Sequence, residues 1–364
     1  MSEWKECKLG DVVTFQRGHD LPKTDMNAGS IPVAGSNGII GYHNATTTKG
    51  PGITIGRSGN IGTPKFYITD FWAHNTVLYV KDFKGNYEKF VFYFLHTFDF
   101  AGFNAGSAVP TLNRNHIHEI PVKIPSLPEQ KAIASVLSSL DDKLDLLHRQ
   151  NKTLEAMAET LFRQWFVEEA QEKPKIGKIT QQVELNPKRQ LSKGATAPYL
   201  DMANVSTSVF HPKNWYEREF NSGTKFINGD TLLARITPCL ENGKSSYVTF
   251  LEDGQVGWGS TEFIVMRSKL DLHPFFTYTL AKNTDFRDYA EGCLEGTSGR
   301  QRVNVDHLAN YEIIIPPDNI IQLFNEVISS TEPKLHANFE QIRTLIKLRD
   351  TLLPKLMSGE VRIP

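Results

Sequence analysis

The sequence predicts an α+β protein: two mixed α/β domains and a pair of long antiparallel coiled-coil helices. Three observations point there: one passage is written twice, a heptad period follows each copy, and β-rich, glycine-punctuated sequence precedes each. The passage is "IPSLPEQKAIASVLSSLDDKL" at 124–144, and its counterpart is "IPPDNIIQLFNEVISSTEPKL" at 315–335. A repeat of roughly 190 residues is a duplicated domain plus helix, not a solenoid. The match extends upstream without a gap, placing Asn113 on Asn304 and His116 on His307.

Each helix carries a seam. Positions 133, 137, 140, 144, 147, 151, 154, 158, 161 and 165 step by four and three and hold Ile, Leu, Leu, Leu, Leu, Asn, Leu, Ala, Leu and Trp. The equivalents from Phe324 to Leu356 keep the same spacing, so each copy has a coiled-coil seam of about five heptads. Pro128 and Pro317 suit a first helical turn, and Glu129 or Asp318 follows to meet the helix dipole. A helix over about 128–168 would span roughly 60 Å and needs a partner for its apolar seam. Its own copy is the obvious partner. Because each helix follows a globular domain, the two can pair within one chain only head to tail. Pro333 removes a hydrogen bond, so a kink or break is expected near 330–334.

The remaining segments read as short strands and two helical stretches. "PGITIGRSGNIGTPKFYIT", "TVLYVKD" and "EFIVMRS" suggest strands, and "KFVFYFLHTFDFAGF" and "PFFTYTLAKNTDFRDYA" suggest helices. The expected layout is a first domain over 1–125, a spacer helix over 126–168, a linker over 169–178, a second domain over 179–316, and a helix with its tail over 317–364.

Composition excludes several classes. With 40% hydrophobic and 22% charged residues, the chain is that of a globular protein. It has no apolar run near the ~20 residues of a membrane span, and "MSEWKECKLGD" is too polar for a secretory signal, so a cytoplasmic protein with no membrane partner is expected. Cys7, Cys239 and Cys293 stand far apart, without the spacing of a disulfide framework or zinc knuckle. "HIHEI" places two histidines near each other but lacks further ligands, and no metal is expected. There is no phosphate loop, dinucleotide fingerprint or HExxH, and no D/N/S-P-P-aromatic motif for base methylation. "GRSGNIG" at 56–62 reads as turns. No catalytic residue is assigned.

The loops instead carry readers. Arginine bonds guanine, asparagine and glutamine bond adenine, and small hydroxyls bond phosphates. The candidates for DNA contact are Asn37, Tyr42, His43, Arg57, Ser58, Asn60, Asn75, Asn113 and Arg114 in the first domain. In the second they are Arg235, Asn242, Lys244, Ser260, Thr261, Arg300, Gln301, Arg302 and Asn304, with "SGRQRVN" the densest cluster. Net charge is −1, so any DNA-facing surface must come from local sorting of charge. Apolar residues off the seam, Met157, Phe162, Phe166, Leu348, Leu353 and Met357, either pack on the domains or dock other subunits' helices.

"LPEQ" opening a long helix after a β-rich domain, its recurrence after a divergent second domain, and the ending "LLPKLMSGEVRIP" together resemble the specificity subunit of type I restriction-modification systems. The second helix departs from the pattern, with "PPDNIIQLF" in place of the LPEQ-type start. The resemblance implies a non-catalytic subunit. Each domain would be a target recognition domain reading half of a bipartite site in double-stranded DNA, and the two would be related by a pseudo-twofold axis. The helix pair would act as ruler between the half-sites and as platform for two modification subunits, with restriction subunits joining. S-adenosylmethionine, ATP and Mg would sit on those partners and none on this chain. Two other readings are a Mg-dependent nuclease using Asp318, Glu332 and Lys334, and a structural scaffold with no DNA affinity.

Overall fold

The computed structural model describes residues 3–103, 111–168, 175–269, 271–297 and 299–363. The expected linker over 169–178 therefore lies largely outside the described residues. Its last three positions, Ile176–Lys178, form a strand rather than a linker. Two compact units are present: residues 1–144 with 344–364, and residues 145–343.

In the first unit, β1 (Lys5–Lys8), α1 (Leu9–Val12), β2 (Thr14–Arg17), β3 (Ile31–Gly35) and β4 (Gly38–His43) come first. They are followed by β5 (Gly52–Gly56), β6 (Pro64–Tyr67), β7 (Trp72–Ala73), β8 (Val77–Asp82), α2 (Glu88–Leu95), α3 (Arg114–His118) and β9 (Pro121–Ile124). One sheet has the order β2-β8-β5-β6, a second β4-β3-β7, and β1 pairs with β9. The alternation of β8 explains why "VLYV" is apolar throughout. Leu78 and Val80 enter the core shared with α2, whereas Val77 and Tyr79 enter a second cluster with Phe71 and Ala34. Successive side chains on a strand face opposite ways, so a strand covered on both faces must be apolar at every position.

The second unit repeats the plan. Here β10 (Ile176–Lys178), β11 (Val183–Leu185), β12 (Thr196–Leu200), β13 (Tyr216–Glu219), β14 (Thr224–Phe226) and β15 (Thr231–Ala234) precede β16 (Ser245–Tyr247), β17 (Gly257–Gly259) and β18 (Phe263–Ser268). The sheets are β11-β18-β15-β16 and β13-β12-β17-β14, and β10 pairs with the strand over Glu312–Ile314 as β1 does with β9. The central strand is again two-faced: Ile264 and Met266 enter one core, Phe263 and Val265 another.

Two long helices pass through both units, α4 over Leu127–Arg163 and the C-terminal helix over Asp318–Ser358. Pro128 lies in the first turn of α4, where its missing N–H costs nothing. Within the first unit, Glu129 bonds Arg362 and Asp141 bonds Arg349. Within the second, Asn151 bonds Asn338 and Phe166 meets Phe324 edge-on. In both units the partner number falls as the α4 number rises, which is the signature of antiparallel pairing. The seam is largely buried: Ile133, Leu137, Leu144, Leu147, Asn151 and Ala158 on one side, and Phe324, Ile328, Leu335, Asn338, Ile342 and Leu356 on the other.

Two expectations are corrected. The C-terminal helix is uninterrupted through 330–334, because Ile328 and Leu335, fully buried on either side of Pro333, hold the backbone helical. The apolar residues off the seam divide. Phe162, Phe166 and Met357 are core residues, since the long helices pack directly on the domains; Phe162 and Phe166 both meet the ring of Phe276, at 54° and 62°, on the helix over Phe276–Lys282. Leu353 is partly buried against the first unit's core, while Met157 and Leu348 remain exposed.

Candidate nucleic-acid interface

In each unit the central sheet ends in an arginine. Arg57 follows β5, and its carbonyl accepts the Leu112 N–H at 2.9 Å, while Ser58 bridges to Thr111. Arg235 follows β15, its carbonyl accepts the Val303 N–H at 2.8 Å, and Ile236 bridges to Arg302. A strand end, a returning loop and a short helix are thus assembled identically in both units. The second short helix is Val305–Leu308, the counterpart of α3. The repeated asparagines cap these helices: the Asn113 side chain accepts from the Asn115 N–H, and that of Asn304 from the Asp306 and His307 N–H groups. This satisfies amides that would otherwise lack partners. Their first role is therefore positioning, and Asn304 also donates to Glu295.

Local charge differs between the units. In the second, Glu262 grips Arg302 with three hydrogen bonds of 2.7–3.0 Å, which holds the carboxyl below its usual range and raises the guanidinium above its own. Arg235 donates to the Val303 carbonyl at 2.9 Å. Gln301 is half-buried beside Thr237, and Arg300 is exposed. In the first unit, Arg17 at the end of β2, Arg57 and Arg114 border a common cavity. Burial, and then the charge of Arg17, lower the Arg57 pKa.

The other candidates scatter. Asn37 and Tyr42 lie exposed on the β3–β4 hairpin. His43 is not a surface reader: it is 6% exposed, accepts the Asn27 N–H and abuts Trp72, because inward-facing positions of β4 close the small sheet. Asn75 is occupied by Asp20. Asn60 is exposed in a turn whose Gly59 and Gly62 have φ of +80° and +83°, as turns require. Lys244 donates to the Met202 carbonyl at 2.8 Å and Ser260 accepts the Glu262 N–H, so both hold loops in place. Asn242 and Thr261 are exposed.

Asp318 and Glu332 stand fourteen residues apart on one continuous helix, about 21 Å along its axis, so no shared Mg site exists for the nuclease reading. His118 accepts the Phe15 N–H at 3.0 Å, which is a structural use. Among the described residues no group of three or more His, Cys, Asp or Glu side chains could hold a metal. None of their helices is long and apolar enough to cross a membrane.

Sequence reasoning missed Arg17, Glu262 and an arginine stack. Arg218 on β13 lies 4.7 Å from the Tyr199 ring centre and 5.5 Å from that of Trp258. Glu262 directly follows the candidates Ser260 and Thr261, and its opposite sign to the nearby arginines was the available signal.

A pair of two-sheet domains, each followed by a long helix and each assembling the same arginine-bearing loop cluster, defines a duplicated two-domain protein. The chain matches the type I restriction modification DNA specificity domain over residues 1–156. It is 26% identical over 388 residues to the MjaIX specificity subunit of Methanocaldococcus jannaschii, covering 99% of this chain and 80% of that one. The EcoAI specificity subunit of Escherichia coli is 28% identical over 194 residues, which is 50% of this chain and 32% of that subunit. The crystal structure of the type I S subunit from M. genitalium has the same fold, with a TM-score of 0.65 at 15% identity over 97% of this chain and 96% of that one. The relatives it matches are named as specificity subunits.

Proposed function

We propose that this chain reads a bipartite site in double-stranded DNA, one half-site per domain, and that the paired helices set the distance between half-sites. The supporting observation is the duplicated cluster at Arg57 and Arg235, built from the same three elements in each unit. Two unlike side-chain sets on one scaffold suit two unlike sequences. Met157 and Leu348, exposed on the helices, are the docking positions for modification subunits, and restriction subunits complete the assembly. S-adenosylmethionine, ATP and Mg belong to those partners, and the protein works in the cytoplasm.

Co-expression with modification subunits and mapping of methylated adenines tests this. Two constant half-sites with a fixed gap are expected, and methylation at a continuous or random sequence overturns the proposal. Arg302→Ala should relax the second half-site alone, at about 1–3 kcal/mol of discrimination for a bidentate contact. Glu262→Ala should also alter it, by freeing the guanidinium.

A further inference from the structure

The first unit gathers three arginines around one cavity. β2 and β5 end at the same side of the sheet, separated by β8, which brings Arg17 and Arg57 to one edge. The Leu112 N–H bond to Arg57 and the Ser58–Thr111 bridge then draw Arg114 to them. The resulting cavity of about 350 Å³ is lined by Arg17, Arg57, Arg114, Thr111 and Asn113 over the aliphatic floor of Leu78. No carboxylate lines it. Among the described residues none of the three arginines has an ion-pair partner, in contrast to Arg302, Arg267, Arg349 and Arg362 elsewhere. Three cations held together against their own repulsion, with an asparagine and a threonine beside them, match the oxygens of a phosphodiester.

We propose that Arg17, Arg57 and Arg114 clamp one backbone phosphate of the DNA next to the first half-site, fixing register without reading sequence. The second unit lacks this clamp. Glu262 neutralises Arg302 there, and β11 ends at Leu185 and continues through Asn186 and Pro187 with no arginine. Grip on the backbone is therefore unequal, stronger at the first half-site than at the second. This rests on the DNA reading above.

The test uses the full chain with modification subunits present, titrated onto a duplex carrying the mapped target and onto a scrambled duplex, at 50 and 200 mM salt. One lost phosphate contact removes a log–log slope of about 0.9, so the fourfold rise in salt should weaken Arg17→Ala or Arg114→Ala about 3.5-fold less than wild type. Both exposed variants should lose affinity equally on the two duplexes. Arg57→Lys should keep the salt slope while binding more weakly, since it retains charge but loses the fork. An unchanged slope overturns the clamp and leaves the DNA reading standing, and so does a loss confined to the target duplex. Wild type that binds neither duplex overturns both.

Discussion

Replacing Asn151 and Asn338 probes the helix pair at its most exacting point. The two side chains are 1% and 2% exposed on the apolar seam, and the Asn338 amide donates to the Asn151 carbonyl oxygen at 2.8 Å, with Gln150 3.4 Å away. Changing either one to leucine leaves the other amide buried without its partner, at a cost of about 1–3 kcal/mol. Changing both removes the polar requirement and adds apolar contact, so the double variant should return to within about 1 kcal/mol of wild type or exceed it. The coupling between the sites is then the sum of the two single losses, about 2–6 kcal/mol. For a unit of 199 residues, each single variant should lower the melting midpoint by about 2–4 °C per kcal/mol. Urea unfolding of wild type, N151L, N338L and N151L/N338L measures the cycle. Additive losses, with the double variant the least stable, would refute the reasoning. A buried asparagine pair is favoured in such a seam because it is satisfied in only one register.

Two further effects concern charge. Burial raises the Glu155 carboxyl to about 7, against an ordinary 4.5, although the Tyr278 hydroxyl donates to it at 2.9 Å; Lys282 and Glu159 are the charged groups around it. The folded state therefore holds a proton that the unfolded chain releases, and stability should fall as pH rises from about 4.5 through 7, by about 3 kcal/mol in all. Glu155→Gln should lack that fall in urea titrations across the range. In the first unit, Glu129 accepts from Arg362 at 2.6 and 2.8 Å and from Trp4. The Arg362 hydrogen bonds hold the Glu129 pKa down, so this contribution is present at neutral pH and is lost as pH falls through the carboxylate range. Arg362→Ala should cost about 1–3 kcal/mol at pH 7 and much less at low pH, where thermal melts of the two proteins should converge.

The helices and their direction were legible because a heptad seam is a long, redundant signal: losing one position to Thr331 or Asn338 leaves the rest intact. The strands of "TVLYVKD" and "EFIVMRS" were legible as strands, but not their two-sided burial, which depends on a second sheet supplied from elsewhere in the chain. The same limit explains the site. Asn113 and Asn304 look like readers in a loop, and only the short helices behind them turn them into caps. Phe162 and Phe166 look like a docking stripe until the helices that carry Phe276 and Phe324 fold against them. The opposite environments of Arg302 and Arg57 depend on Glu262 and Arg17, residues forty positions distant from each.

A spacer-length change reads out the division of labour between domains and helices. Seven residues inserted at equivalent heptad positions of both helices keep the seam in phase and lengthen the pair by about 10.5 Å, or about three base pairs at 3.4 Å each. Mapping methylated adenines from the altered protein should return both original half-sites with the gap between them widened by about three base pairs. An unchanged gap, or altered half-sites, would contradict it.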